Sequence, residues 1–428
     1  MVKKIFRIPL LYWLLISIIF FASELKGTLK DNDTKIFSPR FKTLKIERSD
    51  NFMAPPVLIL GSGARLIISF DEIGEDNSYL SARLVHCNSD WEPSQLVESE
   101  YIEGFNTIDL EDYAYSTNTF VHYVNYLLEI PSEDFRPLVS GNYLLQVYDR
   151  DEPDRTLLQA RFRVVEPMAG VTGSITSRTD KGFNDKYQQL SIAVDGENAD
   201  ISNPYQDVKI VVEQNGNDYN SRTITNPLRT MGKNVIYDHN PLLIFPASNE
   251  YRRFESTSTR FPGMRVDSVK YMGTNYHVWV NTDYPRADSN YEYDQTQHGR
   301  FLVKEYNATD SNIGADYITV HFFLDTPELI GKDVYVDGEV THGNFDSFNR
   351  MTYNGATGGY ELAMPLKQGA YNYRYVTKTR DENGRISDSE IEGDKYETEN
   401  EYGIYVYMRK PGERYDRLIG HTILTGLK

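Results

Sequence analysis

Ser140–Pro167, SGNYLLQVYDRDEPDRTLLQARFRVVEP, is the stretch whose reading decides the fold. Tyr143, Leu145 and Val147 alternate with Leu144, Gln146 and Tyr148, the period of two required of a strand buried on one face. An acidic turn runs from Asp149 to Arg155, and Pro153, with no N–H to give a ladder, is assigned to a loop. On the return leg Leu158, Ala160, Phe162 and Val164 point one way; Gln159, Arg161 and Arg163 point the other, toward solvent. The hairpin stops at Glu166-Pro167, a natural domain end. Its opening recurs near the C-terminus, where Gly369-Ala370-Tyr371-Asn372-Tyr373-Arg374-Tyr375-Val376 echoes Gly141-Asn142-Tyr143-Leu144-Leu145-Gln146-Val147. Two matching strand entries predict repeated β-sandwich modules rather than one large sheet.

Working outward, the same alternation predicts strands at Val57–Leu60, Ala64–Phe70, Tyr79–Cys87 and Tyr123–Ile130, about the number an immunoglobulin-like sandwich needs. Residues 28–50 are polar and aperiodic and are expected to lie extended. Further strands are expected at Gln189–Val194, Asp207–Glu213, Asn234–Tyr237, His277–Val280 and Phe301–Lys304. A last group follows at Tyr317–Leu324, Asp333–Val336, Tyr360–Leu366, Gly369–Val376 and Tyr402–Met408. The charged run Thr377–Glu401 reads as an exposed tip or loop. No long amphipathic helix interrupts this pattern, so the class is all-β. The expected division is a signal peptide (1–27), an N-terminal β-sandwich (28–167), a middle β-rich domain (168–310) and a C-terminal immunoglobulin-like sandwich (311–428).

A chain of 428 residues accommodates roughly three modules of 100–150 residues. Its 32 Tyr and 20 Phe favour sheet. A formal charge of −17 with no basic patch argues against a nucleic-acid partner, because phosphate binding needs concentrated Lys and Arg. Lys3, Lys4 and Arg7 precede the apolar run Ile8–Ala22, the layout of a secretory signal. That run is short of the about 20 residues that span a bilayer. Cleavage is expected between Ala22 and Gly27, an uncleaved anchor being the alternative, and no cysteine lies close enough for lipidation. The mature chain is therefore expected to be exported and soluble, without transmembrane insertion. Cys87, the single cysteine, cannot form an intramolecular disulfide and reads as a small buried hydrophobe.

Chemistry is hard to find. There is no Walker loop and no G-x-G-x-x-G after a strand, and Gly61-Ser62-Gly63 is followed by no helix and is not a nucleophile elbow. The eight histidines (His86, His122, His239, His277, His298, His321, His342, His421) show no ligand spacing and read as strand or loop residues. Asp149, Asp151 and Asp154 offer oxygens to calcium, against the simpler reading of a solvated acidic turn. Tyr284, Tyr291 and Tyr293 on a polar loop suit sugar stacking or a protein interface. No catalytic, cofactor-binding or metal residue is nominated.

Several stretches together resemble the plug protein family of the Bacteroidota type IX secretion system. They are Pro55–Gly63 (PPVLILGSG), Leu84–Trp91 (LVHCNSDW), Tyr101–Phe105, the hairpin, Asn203–Asp207 (NPYQD) and Phe245–Glu255 (FPASNEYRRFE), with Ser248 where the resemblance expects Gly. The resemblance implies a non-enzymatic periplasmic protein, monomeric alone and held peripherally at the outer membrane. Its implied role is to dock on the periplasmic opening of the giant β-barrel translocon and seal it when idle. Residues Asp333–Val340 and Tyr360–Val376 also look like sandwich domains of carbohydrate-active proteins. A carbohydrate-binding β-sandwich protein is therefore the alternative reading.

Overall fold

The computed structural model describes residues 32–381 and 384–427; the expected signal peptide and its cleavage site lie outside them. From Thr34 onward the chain packs as one unit built on three hydrophobic cores, each between two sheets. The α-helices among the described residues are single turns of four residues, and the 3-10 helices are turns of three. Regular secondary structure among the described residues is overwhelmingly β, with all but a few strand pairs antiparallel, as alternation and the Tyr-rich composition predict.

In the first core, Gly141–Asp149 lies between Glu152–Val165 and Leu80–Cys87. Val57–Ile59 adds to the outer edge of Glu152–Val165 in parallel. The facing sheet runs Phe41–Arg48, Leu66–Ile73, Tyr123–Ile130, Tyr113–Tyr115. Tyr143, Leu145, Val147, Leu158, Ala160, Phe162 and Val164 meet Ile68, Phe70 and Tyr126 between them. The assigned loop is shorter than expected, since the return strand already begins at Glu152. Pro153 nevertheless makes no ladder bond: Asp149 pairs with Glu152 and Tyr148 with Thr156, leaving Pro153 in a bulge.

The other two cores each draw strands from both sides of residue 310. Val208–Gln214 pairs on one edge with Arg222–Ile224 of its own region and on the other with Tyr402–Met408, which pairs in turn with Arg417–Leu424. These C-terminal strands close the second core over Gly170–Thr176 and Tyr187–Asp195. The third core takes Arg252–Ser256, Val266–Tyr271, Tyr276–Val280 and Phe301–Val303 from the expected middle domain. It joins them to Tyr317–Leu324, Gly359–Lys367 and Gly369–Thr379. Alternation marks a strand but carries no address for its partner, so sequence order misplaces this exchange.

The echo between the two strand entries has a structural counterpart. Tyr143 Oη donates to the Val139 carbonyl at 2.8 Å, and Tyr371 Oη to the Lys367 carbonyl at 2.5 Å, each four residues upstream. Both are tyrosine corners, which pin a chain crossing to the strand that follows it. The preceding glycines are also matched: a Cβ on Gly141 would meet His86 Nε2 at 2.5 Å, and one on Gly369 the Leu302 carbonyl oxygen at 2.1 Å.

Candidate functional site

The three cores meet at a junction built from charge. The return strand's polar face, read as solvent-facing, is covered here: Gln159 is 2% and Arg163 only 6% exposed. Arg163 forms a bidentate ion pair with Glu213 of the second core. Its guanidinium stacks 3.8 Å from the Tyr405 ring centre and 4.9 Å from Trp91. Tyr407 Oη accepts from Arg163 Nε at 3.2 Å and donates to Asn142 Oδ1 at 2.6 Å. Beside it Arg161 pairs with Asp218 at 2.6 Å and lies over Trp91 at 4.4 Å. Burial pushes the Glu213 carboxyl up while Arg163 opposes it. A buried pair of this kind adds little net stability when intact, but losing one partner strands the other charge at a cost of about 3–5 kcal/mol.

Asp416 repeats the device at the other side of the contact. It accepts from Ser89 N at 3.0 Å and Ser89 Oγ at 2.6 Å, and pairs with Arg409 at 2.9 Å and Lys209 at 3.3 Å. The Leu84–Trp91 stretch thus ends as the latch between the first and second cores. The first and third cores are joined by Asp71, which receives Lys367 Nζ at 2.7 Å and Tyr317 Oη at 2.6 Å in a fully buried site. Asp316 adds a clasp, accepting Phe120 N at 2.8 Å and Val121 N at 3.0 Å. A cavity of about 160 Å³ remains where all three meet, lined by Trp91, Arg163, Glu213, Arg300 and Glu339 among others.

The run Thr377–Glu401, expected to be an exposed tip or loop, is instead partly a buried strap. Ile391 and Glu392 are each 1% exposed. Glu392 takes Arg252 Nε at 3.0 Å and Arg286 Nε at 2.8 Å, while Arg252 Nη1 reaches Asp283 at 2.8 Å. Asp283 also accepts Tyr373 Oη at 2.7 Å and Tyr375 Oη at 2.8 Å. Burial alone would raise the Glu392 carboxyl, but the two guanidiniums hold it at about 2. Ser248, where the resemblance expects Gly, adopts φ +58°, the left-handed conformation that favours glycine. Its hydroxyl bonds Asp388 and Arg374, offsetting the strain.

The residues singled out in the sequence do not converge. His86 is a core residue: Nε2 donates to the Ser140 carbonyl at 3.1 Å, so Nδ1 accepts from Ser94 Oγ at 2.8 Å. His277 and His321 face each other at 2.8 Å beside Trp279, whose ring stacks on His321 at 4.6 Å. Cys87 is buried, and burial pushes its thiol up to about 12, far from a reactive thiolate. Asp149 spends one oxygen on the amide of Asp151 at 2.9 Å within the turn. Tyr291 is tied to Glu250 at 2.8 Å, while Tyr284 and Tyr293 are exposed. No cluster of three or more His, Cys, Asp or Glu is placed to hold a metal among the described residues, and none of their helices is long and apolar enough to cross a membrane. What sequence reasoning missed is the charged junction. Arg163 and Glu213 sit on alternating strands, where a period of two cannot tell a second protein layer from water.

Comparison with known proteins places this geometry. Residues 41–166 match the family model "Type 9 secretion system plug protein 1st domain". A hypothetical protein from Parabacteroides merdae, solved by crystallography, is 38% identical, with 92% of this chain and 99% of that one aligned at a TM-score of 0.90. Other solved structures aligned with this chain are an alkylpurine DNA glycosylase from Pseudomonas fluorescens (13% identity, 29% and 30% of the two chains, TM-score 0.18) and a collagen adhesin from S. aureus (8%, 92% and 94%, TM-score 0.12). No curated protein matches the chain.

Proposed function

We propose that this chain, a member of the type 9 secretion system plug protein family, is the non-enzymatic subunit that docks on the periplasmic opening of the giant outer-membrane translocon and seals it when idle. Association with type IX secretion follows from the family, which also suggests a periplasmic or envelope location. The docking and sealing are our reading. One observation carries it: three β-sandwich cores are welded by buried ion pairs into one unit. A stopper for a channel wide enough to pass folded proteins must not deform under load, and buried charge pairs with defined partners resist sliding better than greasy contacts alone. The partner expected is the translocon barrel, reached through a sizeable but separable interface.

The test is an affinity capture of the tagged chain from detergent-solubilised outer membranes, with partners identified by mass spectrometry. Recovery of one very large β-barrel protein in comparable amounts is expected. Deleting the gene in a strain that makes the translocon is expected to let large solutes leak through the outer membrane. Capture of no barrel together with unchanged permeability would overturn the reading and favour the carbohydrate-binding one.

A further inference from the structure

We infer that Phe105 is a preorganised anchor by which the first sandwich enters an apolar socket, edged by Lys and Arg, on the translocon. This rests on the function proposed above and adds the surface that performs it. Phe105 is 87% exposed, the most exposed of the large apolar side chains among the described residues. It is held from both sides. Gly104 has φ +90°, and a Cβ there would lie 2.6 Å from the Asp134 carbonyl oxygen, so the chain passes tight against the neighbouring Phe135–Pro137 strand. On the other side the Asn106 side chain locks onto one residue of the central sheet. Its Oδ1 accepts from Leu84 N at 2.9 Å, and its Nδ2 donates to the Leu84 carbonyl at 2.8 Å. The same Nδ2 reaches Glu98 at 3.0 Å and Tyr101 Oη at 3.2 Å.

A ring fixed at both flanks loses little backbone freedom on binding, which is how preorganisation raises affinity. Exposed Leu138 lies on the same end, its amide bound to the Tyr101 carbonyl at 2.9 Å. The rim is acidic. Glu98, Glu103, Glu133 and Asp134 are all exposed, and of these only Glu103 has a basic partner, Arg136 at 3.1 Å. An aromatic anchor with an apolar neighbour and a charged rim is the anatomy of a binding hot spot. Unneutralised carboxylates select a cationic surface opposite them. A second copy of this chain is disfavoured, because a two-fold contact would set the same carboxylates against each other. The whole patch lies inside the 41–166 segment that defines the family match.

The experiment titrates the purified, tagged full chain against detergent-solubilised outer membranes holding the translocon and quantifies the captured barrel. Phe105→Ala is compared with Ile330→Ala, a control at a side chain 81% exposed on the third module; both variants are checked by thermal denaturation. Phe105→Ala is expected to keep the wild-type melting temperature yet bind about thirtyfold more weakly or worse, the threshold of a hot spot. Ile330→Ala is expected to bind as wild type. If the wild type captures the barrel and Phe105→Ala captures it equally, the anchor is refuted while the sealing function stands. If the wild type captures none, both fall. A dimer seen by light scattering that Phe105→Ala dissolves would assign the surface to a second copy and overturn the proposal.

Discussion

His86 shows how a single side chain couples this molecule to pH. It is 2% exposed, and burial lowers its pKa from the ordinary 6.5 to about 4. Between those values the unfolded chain takes up a proton that the folded chain refuses. Stability is therefore full above pH 6.5 and falls as pH drops toward 4, by up to about 1.4 kcal/mol per pH unit for one such group. Glu392 acts lower: held at about 2 against an ordinary 4.5, it supports the fold above pH 4.5 and ceases to do so as pH falls toward 2. Urea denaturation at a series of pH values is expected to show the first loss beginning near 6.5. His86→Gln, less stable at neutral pH, is expected to make it shallower without abolishing it, because burial also lowers His342 and His421 to about 4. An unchanged slope between pH 6.5 and 4 in that variant would exclude His86 as a source.

Among the elements, most strands were legible because the hydrophobic alternation is unbroken, as in Tyr123–Ile130, Tyr317–Leu324 and Tyr402–Met408. Phe41–Arg48 was not, for a physical reason. Its register shifts between Lys42 and Lys45, with Thr43 at φ +53°. Lys45 is buried so that its ammonium reaches the Phe301 carbonyl at 2.7 Å. A bulge and a lysine turned inward erase the period of two. The junction was hidden for a related reason: Arg161 and Arg163 carry the signature of a wet face that another module happens to cover. The tyrosine corners could be read from sequence only as an echo; their hydrogen bonds give it meaning. Tyr143→Phe and Tyr371→Phe each remove one buried donor and leave the ring in place. Each is expected to cost about 1 kcal/mol, measured as a shift of the denaturation midpoint with unchanged slope. No loss in either would reduce the corners to packing.

For the whole molecule, the return of the C-terminal strands past the third core predicts that the second and third cores unfold together. Ending the chain after Glu401 removes Tyr402–Met408 and Arg417–Leu424, and with them two of the four strands in one sheet of the second core and the Asp416 latch. The shortened chain is expected to lose protection from hydrogen exchange in 208–214 while the first sandwich, residues 41–166, keeps its own. Full protection of 208–214 in that chain would show that the pairing is dispensable. The same exchange also sets a timetable. Val208 pairs with Met408, two hundred positions later, so a chain emerging from its amino end exposes one edge of an unfinished sheet until those residues have arrived. Closing a loop of that length is slow relative to local hairpins. The first sandwich can fold on arrival, but the rigid unit exists only after the tail has returned. A partly made copy therefore carries the family's first domain without the completed body behind it, and vigilance against such half-built copies falls to the chaperones and proteases that meet open sheet edges.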